Sequence, residues 1–147
     1  MRALGIDLGD ARTGVAICDL TGSLARGYLL IEGKGLKKTA IEAAEIALKE
    51  GADTVVIGDP LNMDGTAGER SAKAHAFAKL LEGQLFARGK EDMKLVLFDE
   101  RLTTVEAHEI LEATGNGDMG HRRKVDMLAA ELILQGYLDS LQNPNRE

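Results

Sequence analysis

Two short apolar runs, TVVIGD (54–59) and KLVLFD (94–99), constrain the fold of this 147-residue chain more than any other feature. Each has strand length and no polar alternation, the pattern of a strand buried on both faces. A segment of helical character, from about Glu69 to Arg88, separates them. Strands joined through a helix pair in parallel with a right-handed crossover, and the sheet they form is covered by helices.

Upstream, the alternation in ALGIDLG and GVAICDL predicts two strands joined by a tight turn around Gly9–Thr13, and SLARGYLLIEG predicts a third after a turn at Thr21-Gly22. From Leu36 the period becomes helical: Ala40, Ile41, Ala44, Ile46, Ala47 and Leu48 form a stripe that stops at Gly51. Downstream, TTVEAHEILEA reads as a short helix and VDMLAAELILQGYLDSL as the last one. The order βββαβαβαα predicts an α/β fold whose five-stranded mixed sheet has three antiparallel strands continuing into two parallel ones. One domain is expected over residues 1–140, with 141–147 a frayed tail. The stretch Thr114 to Lys124 has three glycines, no apolar period and a run of basic residues, and is expected to be a mobile loop.

Composition narrows the setting. The single Cys18 has no partner and no CxxC or His/Cys cluster exists, which points to a reducing cytoplasm and away from zinc. No basic leader or apolar run of bilayer length is present, so a cytoplasmic protein with no membrane partner is expected. Acidic residues outnumber basic ones, 24 to 18, which disfavours indiscriminate adhesion to polyanions. A local basic patch still acts within a Debye length of about 8–10 Å.

Acids gather where such a sheet forms sites. Asp7, Asp59 and the pair Asp99-Glu100 fall at or near the carboxyl ends of strands, where loops diverge. Neighbouring side chains on a strand point oppositely, so only one of Asp99 and Glu100 readily faces Asp7. Asp126 shares a helix face with Ala129, Ala130, Ile133 and Tyr137, the face that packs on the sheet, and the small pair Ala129-Ala130 is expected to permit close approach. Two carboxylates about 4 Å apart repel by roughly 4 kcal/mol at an effective dielectric of 20. A cation must offset that, and oxygen ligands favour Mg²⁺ or Mn²⁺, ions suited to phosphoryl transfer.

The stretches GIDLGDARTGVAICD, PLNMDGT, FDERLTT and KVDMLAAELILQGYLD resemble, in order and over nearly the whole chain, the motifs of the YqgF-type family. That family comprises pre-rRNA processing nucleases, first regarded as Holliday junction resolvases, within the RNase H-like superfamily. The resemblance implies an RNase H-like sheet, divalent-metal-dependent phosphodiester hydrolysis, and a metal-binding catalytic triad at Asp7, Glu100 and Asp126. It also favours precursor small-subunit rRNA as substrate ahead of a DNA junction. Substrate contacts are expected from Arg12 in the first turn, from Asn62, Gly65 and Thr66 in the loop before the second helix, and from Arg101. Arg122, Arg123 and Lys124 are expected to clamp a nucleic-acid backbone.

Two positions depart from the family pattern. Asp59 stands before the proline where an apolar residue is usual, and reads either as a spare metal ligand or as an exposed acid. Met127 follows Asp126 where lysine is common. Thr103 with Glu106 suggests a capping box that fixes the turn carrying Glu100. His75 and His108 read as ordinary helix-face residues, Cys18 as a small apolar strand residue, and the few aromatics form no base-stacking platform. Rival functions are a junction resolvase, a non-catalytic nucleic-acid-binding module, and an ATP-binding domain like those of the actin and sugar-kinase ATPases. The last uses two such domains around a cleft. With no long exposed apolar stripe, a monomer or weak homodimer is expected.

Overall fold

A computed structural model describes residues 1–33, 35–102 and 119–142, the last segment with side chains from Lys124 onward. Its elements are β1 (Ala3–Asp7), β2 (Arg12–Cys18), β3 (Ala25–Glu32), α1 (Gly35–Lys49), β4 (Thr54–Asp59), α2 (Glu69–Ala87), β5 (Lys94–Asp99), a 3-10 turn (Glu100–Leu102) and α3 (Met119–Gln142). The sheet runs β3-β2-β1-β4-β5. β2 is antiparallel to β1 and β3, whereas β4 is parallel to β1 and β5. This is the mixed sheet expected from the hydropathy pattern, but β5, expected to be buried on both faces, is an edge strand in which Phe98 alone is buried, because among the described residues no further strand covers its outer margin. The expected helix at 103–113, with Thr103, Glu106 and His108, lies outside the described residues.

Strand alternation divides the core into two layers. Leu4, Ile6, Val15, Ile17, Val55 and Ile57 pack against the α1 and α2 side, where Phe77, Leu81 and Leu85 fill the space. Ala3, Ala16, Cys18, Val56 and Phe98 face α3 and meet Ala130, Ile133, Leu134, Tyr137 and Leu138. The rings of Phe98 and Tyr137 pack edge to face at 6.3 Å. In α1 the buried stripe is Thr39, Ala40, Ala43, Ala44 and Ala47, not the larger Ile41, Ile46 and Leu48, which are only half-buried. Alanines bring the α1 axis close to the sheet, and the larger residues flank the contact.

α3 also departs from expectation. It begins at Met119, so residues 119–124 of the expected mobile loop form its first turns, and it continues to Gln142, inside the expected frayed tail. Met, Arg and Lys are good helix formers without any apolar period, and that propensity outweighs Gly120.

The close approach of α3 is made by small residues on both sides: Ala130 of the expected pair is fully buried at the contact, and the sheet contributes glycines that the pattern did not mark. A Cβ at Gly14 would strike the backbone oxygen of Asp126, and one at Gly5 would lie 2.9 Å from the Ala130 oxygen and 2.6 Å from the Leu134 Cβ. Farther along, Gln135 Oε1 accepts from the Ala25 amide and Glu131 Oε1 from the Gly27 amide, so α3 side chains satisfy edge-strand donors of β3.

Gly14→Ala should therefore destabilise the protein by about 1–3 kcal/mol, because a rigid backbone rather than a flexible side chain must yield. Gly83→Ala, in the interior of α2 with nothing within 4 Å, should instead stabilise it by about 0.5–1 kcal/mol. Denaturant unfolding of the two variants checks both signs.

Candidate active site

The alternation that sorts the core also sorts the acids. Asp7 continues the series Ala3, Gly5 on the α3 face of β1, and Arg12 continues Gly14, Ala16, Cys18 on the same face of β2. Glu100 follows Val96 and Phe98 in the same way, in the turn just past β5. Gly58 on β4 leaves room for it: a Cβ there would collide with Glu100 Oε1. Asp7 lies opposite Gly14 in the sheet register, at the point where α3 carries Asp126 over the strand ends. Asp7, Glu100 and Asp126 thus occupy one end of one face.

Their electrostatics show the crowding. Burial, opposed by the Arg70 guanidinium and reinforced by the Asp126 charge, pushes the Asp7 carboxyl up to about 6. Burial again, then the charge of Asp7, pushes Glu100 up to about 7, with Arg70 opposing and Asp59 and Asp99 adding to the rise. Asp126 is held differently: Arg12 Nε donates to its Oδ2 at 2.7 Å. Arg12, expected to contact substrate, is thus paired with a proposed catalytic acid.

Asp99 and Glu100 diverge as alternation requires. Asp99 takes the Arg101 side chain through Nε at 3.1 Å to both oxygens and Nη2 at 2.7 Å. These bonds hold the Asp99 carboxyl below its usual range. Arg101 Nη1 also donates to the Met63 carbonyl at 3.3 Å, so Arg101 anchors the 60–68 loop besides standing near the site. Within that loop Asn62 Nδ2 donates to Thr66 Oγ1, Thr66 donates to Asp64, and the Gly65 amide closes a turn on the Asn62 carbonyl with φ +90. All three expected loop contacts are exposed, yet their first partners are one another.

Asp59 corrects both readings made of it. The carboxyl is buried; its Oδ1 accepts from Ser71 Oγ at 2.6 Å and its Oδ2 lies 3.0 Å from His75 Nε2. One residue beyond Gly58, it falls on the opposite face of β4 and fastens α2 to the sheet, which also gives His75 a role beyond that of an ordinary helix-face residue. Lys124 is exposed two residues before Asp126, and Arg122 and Arg123 lie in the same first turns of α3; their side chains are outside the described residues.

Arg70 was not singled out by the sequence. It is exposed in the first turn of α2, lines the cavity that Glu100 borders, and its charge reaches both Glu100 and Asp7. A lone arginine in a polar helix start carries no periodic signal; only its place beside the acidic strand ends marks it.

For a metal ion the donor chemistry fits. The acids offer oxygen ligands alone, the set preferred by Mg²⁺ and Mn²⁺, and a cation would relieve the burial of Asp7 and Glu100. Among the described residues no three His, Cys, Asp or Glu side chains stand together as a ready cluster, and Asp126 is paired with Arg12.

Sheet order and helix layers define an RNase H-like fold. Thermus thermophilus RuvC, solved in complex with a Holliday junction substrate, superposes with TM-score 0.61 at 13% identity, covering 97% of this chain and 96% of that one. Fowlpox virus resolvase, also solved with a junction, gives 0.58 at 12% identity, covering 96% and 99%. The chain belongs to the RuvX family, described as Holliday junction resolvase, which it matches over residues 1–140. It is 39% identical over 148 residues to a protein of Pelotomaculum thermopropionicum, covering 100% of this chain and 92% of that one. It is 41% identical over 144 residues to one of Ruminiclostridium cellulolyticum, covering 96% of each. Both relatives carry the name "Putative pre-16S rRNA nuclease".

The raised carboxyls set a sign for pH dependence. A carboxyl whose folded pKa exceeds its unfolded one binds more protons when folded, so stability falls as pH rises from about 4 through 6–7. Asp7→Asn should stabilise the metal-free protein at pH 8 by on the order of 2 kcal/mol, with the gain shrinking toward pH 4. Mg²⁺ at pH 8 should raise the melting temperature of the wild type more than that of Asp7→Asn. Thermal unfolding across pH, with and without Mg²⁺, measures both.

Proposed function

We propose that this protein is a divalent-metal-dependent nuclease that hydrolyses phosphodiester bonds in precursor small-subunit rRNA, with Asp7, Glu100 and Asp126 as its catalytic acids. The observation that carries the reading is the convergence of these three on the α3 face, two of them with carboxyls raised by burial first, then Asp7 by the charge of Asp126 and Glu100 by that of Asp7. Mg²⁺ or Mn²⁺ held by these acids would supply activation of water and neutralisation of charge on the phosphodiester. The chain's own residues do the rest. Asp7 is fixed by the β1 backbone, Glu100 by the turn that Asp99 and Arg101 brace, and Arg12 orients Asp126 while its guanidinium remains beside the path of a phosphate.

Nucleic acid is also favoured by the start of α3. Arg122, Arg123 and Lys124 stand near the positive end of the helix dipole, and no acidic residue stands in its first turn. A phosphate backbone passing there meets three consecutive cations, which suits a clamp.

Precursor rRNA takes precedence because the relatives that this chain matches end to end are named for pre-16S rRNA. The junction reading is favoured by the family's description and by the junction complexes of its structural neighbours. Paired junction cuts ordinarily require a symmetric dimer, whereas the rRNA reading is met by a monomer or weak homodimer. A cytoplasmic setting accords with both, and among the described residues no helix is long and apolar enough to cross a membrane.

The test is to incubate the protein with Mg²⁺ or Mn²⁺ and labelled precursor-rRNA fragments, single-stranded RNA, duplex DNA and a four-way junction. Precursor rRNA should be cut preferentially. Asp7→Asn, Glu100→Gln and Asp126→Asn should each lose at least the ~100-fold that follows when even a supporting group of a metal site is removed, and EDTA should abolish cleavage. Equal activity in wild type and variants would overturn the site; preference for the four-way junction would replace the substrate.

A further inference from the structure

On the side of the sheet opposite α3, a cavity of about 210 Å³ opens between the β1–β2 turn, the start of α1 and the first turns of α2. Glu100 and Gly58 form its boundary with the acidic site. Its walls are apolar at Leu8, Leu36 and Pro60, its floor carries the buried Thr13 and Thr39, and its rim carries the exposed Arg70 and Lys73. The family resemblance and the expected site residues do not account for this cavity: of the acids and contacts anticipated from sequence, it touches Glu100 alone.

We propose that this cavity is a subsite for one unpaired nucleotide next to the scissile phosphate, with the base held between the walls and its phosphate on Arg70 and Lys73. The inference rests on the nuclease reading for its place in the reaction, and on four observations for its chemistry. The cavity is smaller than the roughly 300–1,000 Å³ of a pocket that encloses a drug-sized ligand, which suits one ring system rather than a larger molecule. Apolar walls with a few hydroxyl and backbone polar groups match a base, which has two apolar faces and a polar edge.

The rim supplies the anion-binding half. Among the described residues Arg70 makes no hydrogen bond or ion pair, and its charge already faces Asp7 and Glu100. Among the described residues Lys73 pairs with the exposed Asp10 alone, at 3.1 Å, a kind of pair worth at most about 1 kcal/mol, so a phosphate displaces it readily. The turns beside the opening are tightly drawn: a Cβ at Gly9 would strike the Arg12 carbonyl and one at Gly33 would lie 2.8 Å from the Ala11 carbonyl, so larger residues cannot be accommodated there without moving the backbone.

A base enters such a space only when it is out of a helical stack. The subsite therefore selects an unpaired nucleotide beside the cut, the state in which single-stranded RNA presents its bases.

Two measurements test this. The first titrates the metal-free protein with adenosine and uridine 5′-monophosphate, and with inorganic phosphate, following backbone amide NMR shifts. The nucleotides should perturb Leu8, Leu36 and Thr39 and bind at least tenfold more tightly than phosphate. Arg70→Ala combined with Lys73→Ala, both exposed positions, should weaken nucleotide binding at least tenfold, and Leu36→Trp, confirmed folded by its melting curve, should abolish it by filling the space. Equal binding of phosphate and nucleotide, or nucleotide shifts elsewhere, would overturn the subsite.

The second measurement moves an abasic residue along a cleavable RNA. One position adjacent to the cut should lower kcat/KM at least tenfold in the wild type and have little further effect in Leu36→Trp. A flat profile with intact cleavage would sink the subsite and leave the nuclease reading standing. Absence of any cleavage would count against the nuclease reading alone, because the binding measurement needs no activity.

Discussion

Everything at the acidic end of this molecule depends on a contact between two backbones. α3 lies on β1 and β2 at Gly5 and Gly14, where any side chain on the sheet would meet the helix main chain. Without that approach Asp126 would stand a side chain's thickness away from Asp7, and its bond with Arg12 would not form at 2.7 Å. The site is therefore a property of packing before it is one of charge. Alternation then does the rest, since a strand that turns Gly5 toward the helix must turn Asp7 the same way.

The electrostatic arrangement answers the strain that packing creates. Burial, with the charge of Asp126 at Asp7 and that of Asp7 at Glu100, lifts the two carboxyls, and the positive groups around them are distributed rather than paired one to one. Arg12 holds Asp126 on the α3 side, and Arg70 reaches both raised acids from the α2 side. Asp99, outside this group, is neutralised by a fork from Arg101 that also ties down the neighbouring loop. Acids of identical chemistry thus separate into a raised, buried set and a bracing set according to the strand face they occupy.

Much of this was legible in the chain and some was not, for physical reasons. The apolar runs 54–59 and 94–99 announced the parallel half of the sheet, although only the first is buried throughout; the second is the edge strand, half-buried apart from Phe98. Parity separated Asp99 from Glu100. The same parity places Asp59 with Val55 and Ile57, toward α2, and Arg12 with Gly14, toward α3; the sequence reading did not carry it that far. Ala129-Ala130 drew attention as the small pair, and Ala130 is buried at the contact; the glycines that meet the helix lie in strands, where glycine reads as a weakness rather than as an invitation to a helix. The early start of α3 and the position of Arg70 were hidden for a common reason: polar helical turns leave no apolar period.

The amide bonds from β3 to Glu131 and Gln135 make α3 the seal of an otherwise open sheet margin as well as the carrier of Asp126. A lesion that lifts the helix would separate Asp126 from Arg12 and, in the same motion, bare unsatisfied strand donors to neighbouring chains. The geometry of the acidic end and protection against self-association thus rest on the same helix.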